Sequence, residues 1–267
     1  MAAAELKSSH SHPPEDQLEN RPLLSLVIPA YNEGAPDRLP QSLREIVAFI
    51  SAQPFAVEVL IVNNNSSDNT LEIAQEAAAQ YPYIRAVTEP RQGKGAAVRT
   101  GMLQAQGEYL FICDADLSMP VEEVLKFLPP NLTDYDIAIA SREAPGARRI
   151  DEPEIRHIMG RVFNFIVRVI AVRGLDDTQC GFKCFKREVA LELFPLQTVD
   201  GWAFDVELLF IAQQREYKII EIPITWIYKS HSKIRPMQDS INMVVETLKI
   251  RRNGWRGVYD RREKARV

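Results

Sequence analysis

The run Leu110-Phe111-Ile112-Cys113-Asp114-Ala115-Asp116 decides the fold class, because it is an apolar segment followed at once by two acids. Short continuous apolar runs are typical of strands that are buried on both faces, as in a parallel sheet. In an extended chain, residues i and i+2 point to the same side, so Asp114 and Asp116 can face one cation where the strand opens into a loop. The run therefore predicts a buried strand with a polar site at its end.

Similar apolar runs recur along the chain and alternate with segments of helical period. In the first half we expect strands at 24–29, 57–63, 83–88, 109–114 and 136–140, and helices at 38–51, 69–80, 96–105 and 120–127. In the second half we expect a long helix at 154–172, a strand near 177–184, a helix at 204–214, a strand at 219–228 and a helix at 236–251. This alternation predicts an α/β fold with a mostly parallel sheet flanked by helices.

Composition excludes several classes of protein. The 267 residues are 46% hydrophobic and 25% charged, as in an ordinary globular protein, and a net charge of −4 does not favour nucleic acid as a partner. Three cysteines are too few for a disulfide framework and favour a reducing compartment, which we take to be the cytoplasm. No apolar run approaches the length of about 20 residues that a spanning helix needs, and residues 1–20 do not resemble a secretory signal.

The acid pair is a candidate metal site. Hard divalent cations prefer carboxylate oxygens, and Mg²⁺ typically takes one or two carboxylates together with substrate phosphates. Adjacent acids also repel each other unless a positive charge neutralises them, and no lysine or arginine lies near them in sequence. Asp114 and Asp116 are therefore expected to hold Mg²⁺ or Mn²⁺. The alternative is that Asp116 caps the helix near Pro120 and Asp114 merely ends a strand.

The other strand ends carry polar loops as well, at 30–34, 64–68 and 91–95, and ligands of open α/β sheets bind beyond these carboxyl ends. Gly93-Lys94-Gly95 opens a predicted helix, where free N–H groups, the helix dipole and the Lys94 charge favour an anion. A simple glycine-rich turn with a solvated lysine is the alternative. The stretch 31–34 could likewise be an ordinary turn.

Four motifs in this order resemble the nucleotide-sugar-binding half of family 2 inverting glycosyltransferases: Val27 to Glu33, Asn65 to Thr70, Gly93 to Gly95, and the acid pair. In the second half, Asp177 to Lys183, Trp202 to Leu209 and Ser232-Lys233 are similar to the dolichyl-phosphate β-glucosyltransferase branch of that family and its bacterial polyprenyl-phosphate relatives. The resemblance covers about 23–253.

This resemblance implies a GT-A fold with a donor half at 23–141 and an acceptor half at 142–253, between a tail without fixed structure at 1–22 and a basic tail at 254–267. It implies a metal on Asp114 and Asp116 and UDP-glucose as the donor. The implied donor-binding residues are Pro29, Tyr31, Glu33, Asn64, Asp68, Lys94 and Asp114. Asn63-Asn64-Asn65 stands where the family commonly has Asp-Asp-Gly, so the base remains open and GDP-mannose is an alternative.

The acceptor implied by the resemblance is a polyprenyl or dolichyl phosphate at a membrane surface. His157, Arg161, Asn164 and Arg168 make one polar stripe on an otherwise apolar helix, which we expect to lie in the membrane interface. The alternative is that this helix packs wholly on the sheet and pairs its arginines with acids. Eukaryotic members also carry an N-terminal anchor that this sequence lacks, so we expect peripheral attachment. Candidate ligands of the lipid phosphate are Arg142, Arg161, Lys233 and Arg235.

The expected chemistry is one in-line displacement by the lipid phosphate. Such a phosphate is already largely dianionic at neutral pH, so a strong base is not needed. The expected catalytic residues are Asp116, with the metal, and Asp177 and Asp205 as orienting or electrostatic groups. Two rival readings stay open: a transferase with a soluble acceptor, which would need a true base, and a non-catalytic membrane-associated protein that keeps the nucleotide fold.

Overall fold

The computed structural model describes residues 21–229 and 236–260. The strands are β1 Leu24–Ala30, β2 Val57–Asn63, β3 Ile84–Thr88, β4 Tyr109–Ile112, β5 Ile137–Ser141, β6 Arg148–Ile150, β7 Lys183–Lys186, β8 Ile219–Pro223 and β9 Thr225–Ile227. The α-helices are α1 Leu39–Ser51, α2 Thr70–Gln80, α3 Lys94–Gln104, α4 Glu154–Ile170, α5 Arg187–Leu193, α6 Phe204–Gln214 and α7 Pro236–Trp255, and 3₁₀ helices cover Val121–Phe127 and Phe194–Leu196.

Seven strands form one sheet in the order β3-β2-β1-β4-β7-β5-β8, and β6 pairs with β9 in a small second sheet. All pairings in the large sheet are parallel except those of β7, which runs antiparallel to β4 and β5. The carboxyl ends of β1, β2, β3 and β4 therefore lie at one edge, which brings the predicted polar loops together. The predicted α/β fold with a mostly parallel sheet is confirmed.

Both faces of the sheet are buried. Alternate residues of β1 point to opposite sides, so Leu26 and Ile28 join the core beneath α1 and α2, whereas Val27 joins the core beneath α3 and α6. Each of these three side chains is fully buried. Burial on both faces explains why the strands appear in the sequence as continuous apolar runs.

The second half departs from the predicted elements. The strand expected near 177–184 begins only at Lys183, because the preceding segment is a loop in which the Asp177 backbone N–H donates to the carboxylate of Glu221 at 2.9 Å. The strand expected at 219–228 is divided between β8 and β9, which lie in different sheets. The sequence did not predict β6 or α5, since three and seven residues are too few to establish a period.

The folded region extends past the boundary at 253 that the sequence suggested. Helix α7 continues to Trp255, and Tyr259 is buried, with its hydroxyl donating to Glu207 at 2.7 Å. The Glu207 carboxylate, itself fully buried, also accepts backbone N–H bonds from Thr198 and Val199, both at 2.8 Å. The segment 254–260 is therefore part of the domain rather than of a tail.

Helix α4 exposes apolar side chains as well as polar ones. Asn164 is buried and accepts a hydrogen bond from Thr178 at 3.1 Å, whereas Phe165 and Val169 are 65% and 64% exposed. Arg168 reaches Asp176 at 2.8 Å. The predicted polar stripe is therefore split between a buried amide and an exposed ion pair. No helix in the described part of the chain combines the length and apolar character that a membrane crossing requires.

Candidate active site

Loops after β1 and β2 are joined directly to each other. The Asn32 backbone N–H donates to Ser66 Oγ at 3.0 Å, and Ser67 N–H donates to Asn32 Oδ1 at 2.8 Å. Asn32 and Asn65 both adopt positive φ, of 51° and 56°, a conformation that asparagine tolerates better than most residues. These contacts give the pair of loops one fixed shape at the edge of the sheet.

The predicted donor-binding residues of the first two loops lie together. Glu33 is 8% exposed, and its carboxylate forms an ion pair with Arg38, whose Nε lies 2.7 Å away. The sequence analysis did not predict this pair. Asp68 accepts from Gly34 N–H at 2.9 Å and from Thr70 N–H at 3.1 Å. Tyr31 is 40% exposed beside them. Tyr31 and Asp68 are the exposed members of this group, and Glu33 is its buried member.

Asn64 braces the loop after β3. Its side-chain amide donates to the carbonyls of Arg91 at 2.6 Å and Glu89 at 3.3 Å, and its Oδ1 accepts from Gly93 N–H at 2.8 Å. Both amide hydrogens and the oxygen are thus engaged with backbone. Donor binding by Asn64 stays a prediction, and the observed contacts fix the loop that carries Lys94.

The acid pair forms a tight turn after β4. Leu117 N–H donates to the Asp114 carbonyl at 3.1 Å, Leu117 has φ 47°, and Asp116 Oδ1 accepts from Ser118 N–H at 2.9 Å. This bond closes a local turn and is not the helix cap that the alternative proposed, because the 3₁₀ helix that follows Pro120 has no side-chain cap. Asp116 keeps its second carboxylate oxygen. Lys229 Nζ donates to the backbone carbonyl of Asp116. That lysine, which the sequence analysis did not identify, connects the turn to the segment after β9.

Lys94 supplies the positive charge that the sequence appeared to lack beside the acids. Its Nζ lies 2.6 Å from Asp114 Oδ1 and 5.6 Å from the centre of the Trp202 ring. Burial on its own lowers the pKa of Lys94, but the carboxylates of Asp114, Asp205 and Asp116 raise that pKa above its ordinary value. Lys94 is therefore a protonated counter-ion of the turn.

Gly181 explains how the acceptor half approaches the acid pair. A Cβ at this position would lie 2.0 Å from Asp114 Oδ2, closer than any real contact. The backbone of the loop before β7 thus packs directly against the carboxylate. The motif Cys180-Gly181-Phe182 carries a sequence signal for this contact, namely a glycine in an otherwise bulky stretch.

Asp205 is paired with Lys183, a residue for which the sequence analysis predicted no individual role. Lys183, fully buried on β7, places Nζ 3.1 Å from Asp205 Oδ1, and Asp205 is 4% exposed at the start of α6. Burial raises the pKa of Asp205, although Lys183 and Lys94 oppose that shift. The two lysines link Asp205 to Asp114 electrostatically.

Asp177 and Arg142 form a bidentate pair. Arg142 Nε lies 2.7 Å from Oδ2 and Nη2 lies 2.9 Å from Oδ1 of Asp177, which is fully buried. Burial alone would raise the pKa of Asp177, but the guanidinium holds it well below its usual range. The Arg142 backbone N–H adds a third bond to Oδ2 at 3.0 Å. Asp177 is therefore a permanently charged group that orients Arg142.

Of the four basic residues predicted for the acceptor phosphate, two lie within the described residues. Arg142 is committed to Asp177, and Arg161 is exposed on α4. Lys233 and Arg235 lie outside the described residues. Lys229 is the described cation that touches the acidic turn from the acceptor side.

The chemistry of the acidic turn fits a divalent cation that arrives with phosphate. Asp114 and Asp116 supply two carboxylates, and no group of three or more His, Cys, Asp or Glu able to hold a metal occurs within 21–229 and 236–260. Two carboxylates leave several coordination positions for water and phosphate oxygens, which is the arrangement that Mg²⁺ prefers and Mn²⁺ accepts. Asp114 already attracts a cation, Lys94.

The contact at Gly181 yields a mutational prediction. Gly181→Ala is compatible with the backbone, which does not have positive φ there, but the new Cβ forces the Asp114 carboxylate, whose side chain is 29% exposed, to rotate. We expect sugar transfer or metal-dependent nucleotide binding to fall about 10- to 100-fold, because displacing a positioned group by about 1 Å costs roughly that much. The cost in unfolding free energy should stay near 1 kcal/mol.

The matched control is Gly160→Ala on α4, where an added Cβ meets nothing within 4 Å. Calorimetry of nucleotide binding and thermal unfolding check both variants. Binding by Gly181→Ala equal to that of Gly160→Ala would contradict the assigned contact.

A second prediction separates orientation from base catalysis at Asp177. Asp177→Asn leaves the Arg142 charge buried without its carboxylate, so we expect a loss of about 3–5 kcal/mol in unfolding free energy in denaturant titrations. Asp176→Asn is the control, because its pair with Arg168 is about half exposed, and should cost less than about 1 kcal/mol. Full stability of Asp177→Asn together with lost transfer would favour a base instead.

Comparison with known proteins agrees with this geometry. The model of Glycosyl transferase family 2 matches residues 25–194. A dolichyl-phosphate beta-glucosyltransferase of Drosophila melanogaster is 38% identical over 248 residues, which cover 85% of this chain and 74% of that protein. The dolichyl-phosphate beta-glucosyltransferase of Saccharomyces cerevisiae is 33% identical over 265 residues, covering 92% and 79% respectively.

Solved structures add information about the fold. Glucosyl-3-phosphoglycerate synthase from Mycobacterium tuberculosis, in complex with Mn²⁺, UDP-glucose and glycerol 3-phosphate, superimposes with a TM-score of 0.61 at 17% identity, covering 91% of this chain and 86% of that one. Its complex with Mg²⁺ and UDP gives the same score at 20% identity, covering 89% and 81%. The predicted GT-A fold is confirmed. Since the family model spans more than half of the sequence and relatives above 30% identity cover most of it, the chain belongs to glycosyltransferase family 2.

Proposed function

We propose that this chain transfers glucose from UDP-glucose to dolichyl phosphate, or to a related polyprenyl phosphate, with inversion at the anomeric carbon. The observation that carries the proposal is that the acid pair and its surroundings stand intact in a chain 33–38% identical to dolichyl-phosphate beta-glucosyltransferases along most of its length. Similarity to these relatives alone would be compatible with a protein that has lost catalytic activity. Asp114 and Asp116 on one turn speak against that reading.

The donor side of the proposed site consists of the loops after β1, β2 and β3. Tyr31, Glu33 and Asp68 would contact the nucleoside, and Lys94 would meet the diphosphate at the start of α3, where the helix dipole favours an anion. Asp114 and Asp116 would hold Mg²⁺ or Mn²⁺. When bound, such an ion neutralises charge on the departing nucleoside diphosphate.

The acceptor side needs positive charge rather than a base. A phosphate monoester is already mostly dianionic at neutral pH and can attack without losing a proton to the protein. The carboxylates of Asp177 and Asp205, which a soluble alcohol acceptor would require as a free base, are each paired with a buried cation. This pairing favours a phosphate acceptor, and Lys229 beside Asp116 is the described cation that would face it.

The direct test is transfer of radiolabelled sugar into the lipid phase. With Mn²⁺ and dolichyl phosphate, we expect label from UDP-glucose and not from GDP-mannose. Asp116→Asn keeps the acceptor of the Ser118 N–H bond but removes the charge, and should lower the rate at least about 100-fold. Asp134→Asn, an exposed aspartate paired with Lys218, is the control and should transfer normally.

Other outcomes of the same assay assign the rival functions. Label on 3-phosphoglycerate but not on lipid would indicate a soluble acceptor. UDP-glucose binding without turnover would indicate a non-catalytic protein. Normal rates with Asp116→Asn would contradict the proposed metal site.

We also propose that the protein acts at the cytoplasmic face of a membrane to which it attaches peripherally. Phe165 and Val169 on α4 lie one turn apart and are exposed, and α4 packs against α7, which exposes its own apolar stripe. That stripe consists of Ile241, Val245 and Leu248, which are 61%, 60% and 53% exposed. Exposed apolar side chains on two helices that pack together suit the headgroup boundary of a membrane. The cysteines are free and buried, in keeping with a reducing compartment.

Vesicle sedimentation tests this attachment. The protein should pellet with vesicles that contain acidic phospholipid, and the double variant Phe165→Glu/Val169→Glu should reduce the bound fraction at least about fivefold, since two apolar anchors are replaced by charges that acidic lipid repels. Leu191→Glu, an exposed leucine on α5, controls for the added charge. Equal binding by the double variant and the wild type would refute attachment through these side chains.

A further inference from the structure

The Asp114 carboxylate, which is expected to bind a metal, forms an ion pair with Lys94. Lys94 Nζ lies 2.6 Å from Asp114 Oδ1, Gly181 packs against Oδ2, and the Lys94 side chain is only 18% exposed. An ammonium at that distance competes with a divalent cation for the same oxygen, because like charges this close repel each other strongly. Lys94 in this position therefore opposes cation binding at Asp114.

Lys94 has another natural partner. It is the first residue of α3, next to the end of the loop that Asn64 fixes, so its backbone is held while its side chain can turn. A diphosphate at this helix start offers several anionic oxygens to the ammonium.

We propose that Lys94 is an exchangeable counter-ion, which neutralises Asp114 in the ligand-free protein and moves to the diphosphate of the donor when the metal takes its place. The inference rests on the proposed function for the identity of the donor, but only a diphosphate and a divalent cation are needed for the exchange. It makes the two ligands depend on each other.

The dependence follows from the charges. A metal that binds alone has to displace the ammonium and then faces it as a nearby positive charge. A diphosphate that binds alone has to draw Lys94 away and faces uncompensated carboxylates. When both bind, each charge is matched, so each ligand raises the affinity of the protein for the other by the same factor.

The test measures Mn²⁺ binding by electron paramagnetic resonance of the free ion, with and without UDP, in wild type and Lys94→Met. Without nucleotide, Lys94→Met should bind Mn²⁺ at least about fivefold more tightly than wild type, because the competing charge is gone. The factor by which UDP tightens Mn²⁺ binding should fall about tenfold in the variant. Lys94→Arg keeps the charge and should bind Mn²⁺ weakly, like wild type.

Lys218→Met is the matched control, since Lys218 is a half-exposed lysine paired with Asp134 and remote in sequence from the acidic turn. This variant should leave unchanged both the affinity for Mn²⁺ alone and the factor by which UDP tightens Mn²⁺ binding. The proposal is overturned if Lys94→Met unfolds at the wild-type temperature and yet, without nucleotide, binds Mn²⁺ no more tightly than wild type.

Two further measurements keep the inference independent of that variant and of the donor. In wild-type crystals with Mn²⁺ and UDP, Lys94 Nζ should contact a phosphate oxygen; Nζ still on Asp114 beside a bound metal would overturn the proposal. Replacing UDP with inorganic pyrophosphate should preserve the tightening of Mn²⁺ binding. If transfer from UDP-glucose fails but this coupling persists, the exchange stands and the proposed donor does not.

Discussion

Charge balance at the carboxyl edge of the sheet constrains this structure more than any other single factor. Asp114, Asp177 and Asp205 are drawn to that edge by the ends of strands and helices, and two of them are almost fully buried. An isolated buried carboxylate would cost far more than a domain of this size can offset. Each therefore has its own cation: Lys94, Arg142 and Lys183. The positions of those cations determine how the loops close.

Strand β7 makes this balance possible. It runs antiparallel between β4 and β5, so its own start lies at the edge where β4 ends. The loop that leads into it places Gly181 against Asp114, and its first residue, Lys183, reaches Asp205. The first and second halves of the chain thus share one continuous sheet rather than forming two docked units. A purely parallel order would put the start of that strand at the opposite edge.

Local patterns in the sequence were enough to predict the first four strands and the acidic turn that follows them. Apolar runs followed by polar loops give β1 to β4 and the position of Asp114 and Asp116, because each signal is contained within about ten residues. The ion pairs were not predictable in this way. Lys94 and Asp114 are 20 residues apart and Arg142 and Asp177 are 35 apart, and only the strand order brings them together. Tyr259 was missed for a similar reason, since its partner Glu207 lies on another helix.

The pairing pattern also bears on the kind of acceptor this fold can serve. A general base has to exchange a proton near neutral pH, and it loses that ability when a guanidinium fixes it as a carboxylate. Asp177, held by two guanidinium nitrogens of Arg142, is in that state, and Asp205 shares its site with a buried lysine. An alcohol would therefore find no free base at Asp177. A phosphate needs none, so a site that commits its acids to holding cations in place is suited to a nucleophile that is already charged.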